Sequence, residues 1–269
     1  MESTPIKALL FTKTAAYRHA SIPALASSLS HLPNLSLTHT EDPSVFQSQL
    51  PSQDILILGH NTRDFLDDET LEALKRFVET QEKGVVGVHA CTCGMLKCDW
   101  YAEMLGARFD GHPEPQWGRV KVHHREDGDK DAEHEILRNL PHPSLSSVPA
   151  LARPPHHEYL QHTLPTEFPW FDEWYNWSSS PNPPPPKGSI VLVSVDPTTY
   201  EGGPASGTLE ETSGLHPLAW CHETRGSGTR VFYTALGHFD EAYSDPWFMK
   251  MLENGIRWTA RRNIVPGDM

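Results

Sequence analysis

The chain has 269 residues and a formal charge of −13, from 35 acidic against 22 basic side chains. That balance argues against binding nucleic-acid phosphates or an anionic membrane, both of which want clustered positive charge, and leaves a small neutral or cationic ligand as the expected partner. Four cysteines without a secreted-type framework, no signal-like start and no apolar run of about 18 residues predict reduced thiols, no membrane span and a cytoplasmic protein.

The N-terminal half reads as strands alternating with helices. Ile6–Thr12 is a short apolar run suited to a strand buried on both faces. Ser21–Ser30 follows as a helix with Pro23 in its first turn. Leu35–His39 is a weaker strand, followed by a short helix at Pro43–Gln49. Asp54–Gly59 is a second buried strand, and Asp67–Glu82 an amphipathic helix with acids in its first turn. Gly84–His89 is the next strand, and Gly94–Gly106 a helix ending on glycine. This alternation predicts a parallel sheet.

Arg119–His123 reads as a strand and Asp131–Arg138 as a short helix. Residues 140–188 are rich in proline and aromatics, and are expected to cover a functional face rather than form regular structure. Strands resume at Ser189–Val195, Leu218–His222 and Arg230–Thr234, with turns at Glu210–Gly214 and Thr224–Gly228. A closing helix spans Asp245–Arg262. No repeat or linker divides the chain, which predicts a single domain over residues 5–262.

Sixteen histidines are more than average composition supplies, and imidazole is both proton shuttle and metal ligand. In parallel sheets ligands bind outside the carboxyl ends of the strands. Five such ends deliver a histidine: His19 after the first strand, His60, His89, His222 and His238. Thr12, Tyr17 and Arg18 share the first of these loops, and Glu223 adjoins His222. Convergence on one pocket is the expectation, with His19, His89, Glu173, His222 and His238 as catalytic candidates. Thr12, Tyr17, Arg18, His60, Asp172, Trp174, Tyr175 and Glu223 are the substrate-binding candidates. His31, His39, His142 and His162, in polar surroundings, read as surface residues. His123-His124 and His156-His157 read as solvated or structural.

Asp172-Glu173-Trp174-Tyr175-Asn176-Trp177 sets carboxylates beside aromatic rings, which suits a sugar face and its hydroxyls; an aromatic loop anchoring itself to the core has equal weight. A divalent metal such as zinc, held by His19, His89, His222 and His238, is chemically reasonable, although no compact ligand spacing such as HExxH is present. Cys91, Cys93 and Cys98 lack the spacing and fourth partner of a zinc knuckle. Cys91 lies one or two residues beyond the place where a nucleophile follows a buried strand, and His89 lies nearer to it. No glycine-rich phosphate loop follows the first strand.

Six segments in order are similar to the ThuA-like (trehalose utilisation) family, within the class I glutamine-amidotransferase-like superfamily. They are Phe11–His19, Gly84–Ala90, Leu105–Phe109 with Gly111-His112-Pro113, Asp172–Asn176, His216–Glu223 and Tyr233–His238. The resemblance runs from about residue 6 to 260. It implies a flavodoxin-like three-layer sandwich with a mostly parallel central sheet, no amidotransferase nucleophile, and a link to disaccharide or keto-sugar catabolism. Two departures from the family are the cysteines at 91, 93 and 98 and the proline tract Pro181–Pro186. The resulting expectation is an enzyme acting on a disaccharide, keto-sugar or similar polyhydroxylated molecule, metal-assisted or not. Its alternatives are a non-catalytic sugar- or metabolite-binding module and a cysteine-dependent hydrolase or amidotransferase. A homodimer is compatible with all three.

Overall fold

The computed structural model describes residues 4–80, 83–123, 134–144, 166–180, 184–202, 214 and 216–262. His124, His156, His157, His162, the turn expected before Gly214 and the first part of the proline tract lie outside the described residues. Nine strands form one sheet among the described residues: β1 (Ile6–Phe11), β2 (Leu35–Thr40), β3 (Ile55–Gly59), β4 (Gly84–Val88), β5 (Gln116–Val122), β6 (Glu167–Asp172), β7 (Ile190–Asp196), β8 (His216–Glu223) and β9 (Arg230–Thr234). Their order is β2-β1-β3-β4-β9-β8-β7-β5-β6.

The sheet has two halves. From β2 to β9 every neighbouring pair is parallel. From β9 to β6 every pair is antiparallel. The fold is therefore α/β with a large mixed sheet, not the mostly parallel one expected. The alternation of strands and helices that announces parallel pairing stops after β4, and the segments beyond it double back on one another. In the parallel half, β3 and β4 are buried along their whole length, because helices cover both faces.

Among the described residues five α-helices flank the sheet: α1 (Ile22–Ser30), α2 (Pro43–Gln49), α3 (Asp68–Glu79), α4 (Asp99–Leu105) and α5 (Pro246–Thr259). α3 buries Ala73, Leu74, Phe77 and Val78, and the Asp67 carboxylate caps it by accepting from Thr70 N at 2.8 Å. α5 starts on Pro246, with Asp245 accepting from Trp247 N and Phe248 N. Its Gly255 lies flat on the Phe232 ring of β9, where any side chain would collide. No helix among the described residues is long and apolar enough to cross a membrane.

Two elements differ from expectation for visible reasons. The helix expected from Gly94 begins only at Asp99, after a 3-10 turn at His89–Cys93. The intervening chain is tied to the loop after β3: Arg63 N donates to Cys93 O and Met95 N to Arg63 O, both at 2.9 Å. β6 was hidden in the proline-rich stretch because Pro169 lies within it. An edge strand bonds on one side only, so it tolerates a residue with no N–H.

Candidate functional site

The adjacent strands β1, β3, β4 and β9 run in one direction, and each delivers a histidine just beyond its carboxyl end: His19, His60, His89 and His238. His60 (φ 57°) and His89 (φ 50°) turn the chain in the left-handed region, an unusual backbone for a residue with a Cβ. His89 thus occupies the sharp turn after β4 where a nucleophile was sought. Cys91 is fully buried and its thiol is pushed well up by burial, so it offers no thiolate there.

The four rings pack together. His19 lies 4.8 Å from both His60 and His89 and 5.2 Å from His238, centroid to centroid. Glu173, just past β6, crosses from the antiparallel half to meet them. Its Oε2 lies 3.1 Å from His238 Nδ1 and 3.4 Å from His89 Nε2, and its Oε1 lies 3.6 Å from His112 Nε2. One donor atom each from His19, His89, Glu173 and His238 falls within 4.8 Å of all the others.

Hydrogen bonds outside the cluster set each ring. His89 Nδ1–H donates to the Ala235 carbonyl at 2.6 Å, which leaves Nε2 as the lone-pair nitrogen facing Glu173; Tyr175 O–H lies 2.9 Å from it. Tyr243 O–H donates to Gly237 O at 2.9 Å and accepts from His60 Nε2–H at 2.7 Å. Asp172, almost fully buried, accepts from Glu173 N, Gly237 N, His238 N and Trp170 Nε1. It therefore fixes the backbones of two cluster residues from opposite halves of the sheet. Gly237 permits this loop: its φ is 113°, and a Cβ would lie 2.7 Å from the Tyr243 oxygen.

The protonation states diverge. Burial drives His19 to about 2, with His89 and His238 acting the same way, and burial holds His60 well below the usual imidazole range. Burial opposes ionisation of Glu173, but the hydrogen bond from His238 and the adjoining His89 ring outweigh this and lower its pKa. The same carboxylate raises His238 against the effect of burial. The cluster thus sets an ionised Glu173 against a His238 whose pKa it raises, beside neutral His19 and His60. His19 Nδ1 and His60 Nδ1 are buried and have no hydrogen-bond partner among the described residues.

Several expected site residues are placed elsewhere. His222 and Glu223 lie at the opposite end of the sheet, because β8 runs antiparallel and its carboxyl end adjoins Arg230 at the start of β9. There His222 Nε2–H donates to Met104 O, and Glu223 pairs with Arg230 and Arg261. Trp174 is core, pressed between Gly118 and Tyr200 rather than lining a pocket. Thr12 is buried and bonds His39 and Glu41, and Arg18 pairs with Glu41, so both brace the loop before His19. Asp172 supports the site without facing it. Three participants were absent from the expected set: His112, Tyr243 and Cys93, whose thiol hydrogen-bonds Tyr175. His112 had a signal, as part of Gly111-His112-Pro113; Tyr243 had none.

Comparison with known proteins bears on this arrangement. The chain is similar to the crystal structure of a ThuA-like protein from Parabacteroides merdae, at 16% identity and TM-score 0.65, covering 98% of this chain and 93% of that one. It is also similar in fold to a protein from Thermoplasma acidophilum described as a GMP synthase component, at 12% identity and TM-score 0.50, covering 97% and 96%. No curated protein sequence matches it significantly. The profile of the ThuA family, described as trehalose utilisation, matches residues 7–259. The chain belongs to the ThuA family.

Proposed function

We propose that the chain acts on a disaccharide, keto-sugar or similar polyhydroxylated molecule at the cluster of His19, His89, Glu173 and His238, assisted by a divalent cation such as zinc. The family's description supports the sugar, and the convergence of these four donor atoms carries the site.

The residues fit such a cation. Imidazole nitrogen and carboxylate oxygen are zinc's usual non-thiolate donors. The His89 proton is committed to the Ala235 carbonyl, so its Nε2 lone pair is directed into the cluster; a carbonyl partner on the far nitrogen is the usual support for a metal-bound imidazole. His19 presents a buried, partnerless nitrogen in a neutral ring. His19, His89, Glu173 and His238 would hold the cation. When bound, it would polarise a substrate oxygen or make a water more acidic. The chain's own groups do the rest. Tyr175 stays protonated because it is buried, and its hydroxyl can donate a hydrogen bond to a substrate oxygen. In the cation-free protein the Glu173–His238 pair holds a proton at His238 Nδ1, and a bound cation would displace it.

Elemental analysis of purified protein should find about one divalent cation per chain. Turnover across a panel of disaccharides and keto-sugars should vanish in His89→Ala and in His238→Ala. Unchanged turnover in both variants overturns the assignment, and binding without product reassigns the site to ligand capture.

A further inference from the structure

Tyr17 is 64% exposed, one of two large hydrophobic side chains among the described residues left open to this degree. The other, Ile190, starts strand β7, whereas Tyr17 stands directly on the site, its ring 4.8 Å from that of His19 at 87°. An exposed aromatic ring on a mobile loop would need no explanation. This loop, however, is tied down on both sides of the ring. Ala15 N donates to Thr62 O at 3.0 Å, Ala16 N to Thr62 Oγ1 at 3.3 Å, and Thr62 O–H to Tyr17 O at 2.9 Å. Asn61 adds bonds to the carbonyls of Phe11 and Lys13. The backbone is held while the ring stays uncovered.

We infer that Tyr17 is the platform of an outer subsite that stacks on the apolar face of a second sugar ring, so that the preferred ligand carries at least two rings. This rests on the sugar reading of the histidine cluster. Phe239 makes the contrast on the other flank: it lies 4.5 Å from the His238 ring but also packs on Phe171 at 5.3 Å. Tyr17 has only His19 as a ring neighbour among the described residues. Tyr17 reaches the cluster through the His19 ring, which in turn touches those of His89 and His238. A ring whose oxygens reach His89 and Glu173 therefore leaves Tyr17 to its neighbour. A fixed aromatic ring offers contact area at little cost in ordering, and stacking of this kind adds to plain burial.

The test uses the intact protein with trehalose as the two-ring probe and methyl α-glucoside as the one-ring probe, binding being measured by ligand-observed NMR titration. Tyr17→Ala should weaken trehalose about tenfold and leave methyl α-glucoside unchanged, while Tyr17→Trp retains both. The thermal midpoint should not move, because the ring is exposed. Equal affinity of Tyr17→Ala and the wild type for trehalose overturns the subsite, as does an equal loss for both probes. If the wild type binds neither probe, the sugar reading of the cluster falls with it. If it binds both and only Tyr17→Ala is without effect, the subsite alone falls.

Discussion

The two halves of the sheet both bury histidines, yet they use them differently. In the parallel half, β1, β3, β4 and β9 aim the same way, so four imidazoles meet at one end, and three of them, His19, His89 and His238, bring a nitrogen within 4.8 Å of a Glu173 oxygen. In the antiparallel half, His216 and His222 sit at opposite ends of a single strand, β8. Each makes one backbone contact: His216 with Tyr175 O at 2.6 Å and His222 with Met104 O at 3.1 Å. His134 accepts from Ile136 N and reaches Cys221 Sγ at 3.4 Å. Strand direction, rather than histidine content, decides whether imidazoles gather or scatter.

The widest difference should appear in acid. Burial holds His134, His216 and His222 at about 4, against an ordinary value of 6.5, with two arginines adding to the effect at His134. Between these values the unfolded chain binds protons that the folded chain refuses, so stability falls as pH drops from 6.5 toward 4. These three sites alone should contribute on the order of 5 kcal/mol to the difference in urea stability of metal-free protein between pH 7 and pH 5, with His19 and His60 adding in the same direction. His222→Gln should remove roughly a third of that slope. The Glu173-paired His238 works in the other direction. Its raised pKa makes its contribution full below 6.5 and lost as pH rises through the folded value.

Joining the halves depends on Asp172, and Asp172→Ala should be next in size. It leaves three backbone N–H groups and one indole N–H without an acceptor, a loss of about 3 kcal/mol or more by denaturant titration. Glu173→Gln leaves the fold in place and should cost roughly 100-fold in zinc affinity by calorimetric titration. An unchanged affinity would mean that the parallel half binds metal without help from the other. The smallest effect should be at Arg18. Its pair with Glu41 is about half exposed, so Arg18→Ala should change stability by under about 1 kcal/mol.

The parallel half was legible because its strands are continuous apolar runs, each followed by a helix of clear period. His19, His60, His89 and His238 could be picked out simply as the residues after those runs. The same rule misplaced His222 and Glu223, since a strand's direction is set by its pairing with distant partners and leaves no mark on its own sequence. β6 was hidden by Pro169, and Trp174 looked like a pocket ring although Gly118 opens a core slot for it. Glu173 was legible in the string Asp172–Trp177, which sets carboxylates beside aromatic rings, while the role of Asp172 as a backbone acceptor appears only once β6 and β9 are brought together.

Pro169 has a consequence for the company this chain keeps. Across from it, Arg119 turns its backbone N–H toward Thr199, on the β7 side of β5. Pro169 therefore presents its own nitrogen outward, at the middle of the sheet's last strand. A strand arriving from another molecule would find no donor there and could not zip along that margin, which guards it against edge-to-edge aggregation. β2, at the opposite margin, carries no proline, and stacking of sheets end to end would have to begin from that side.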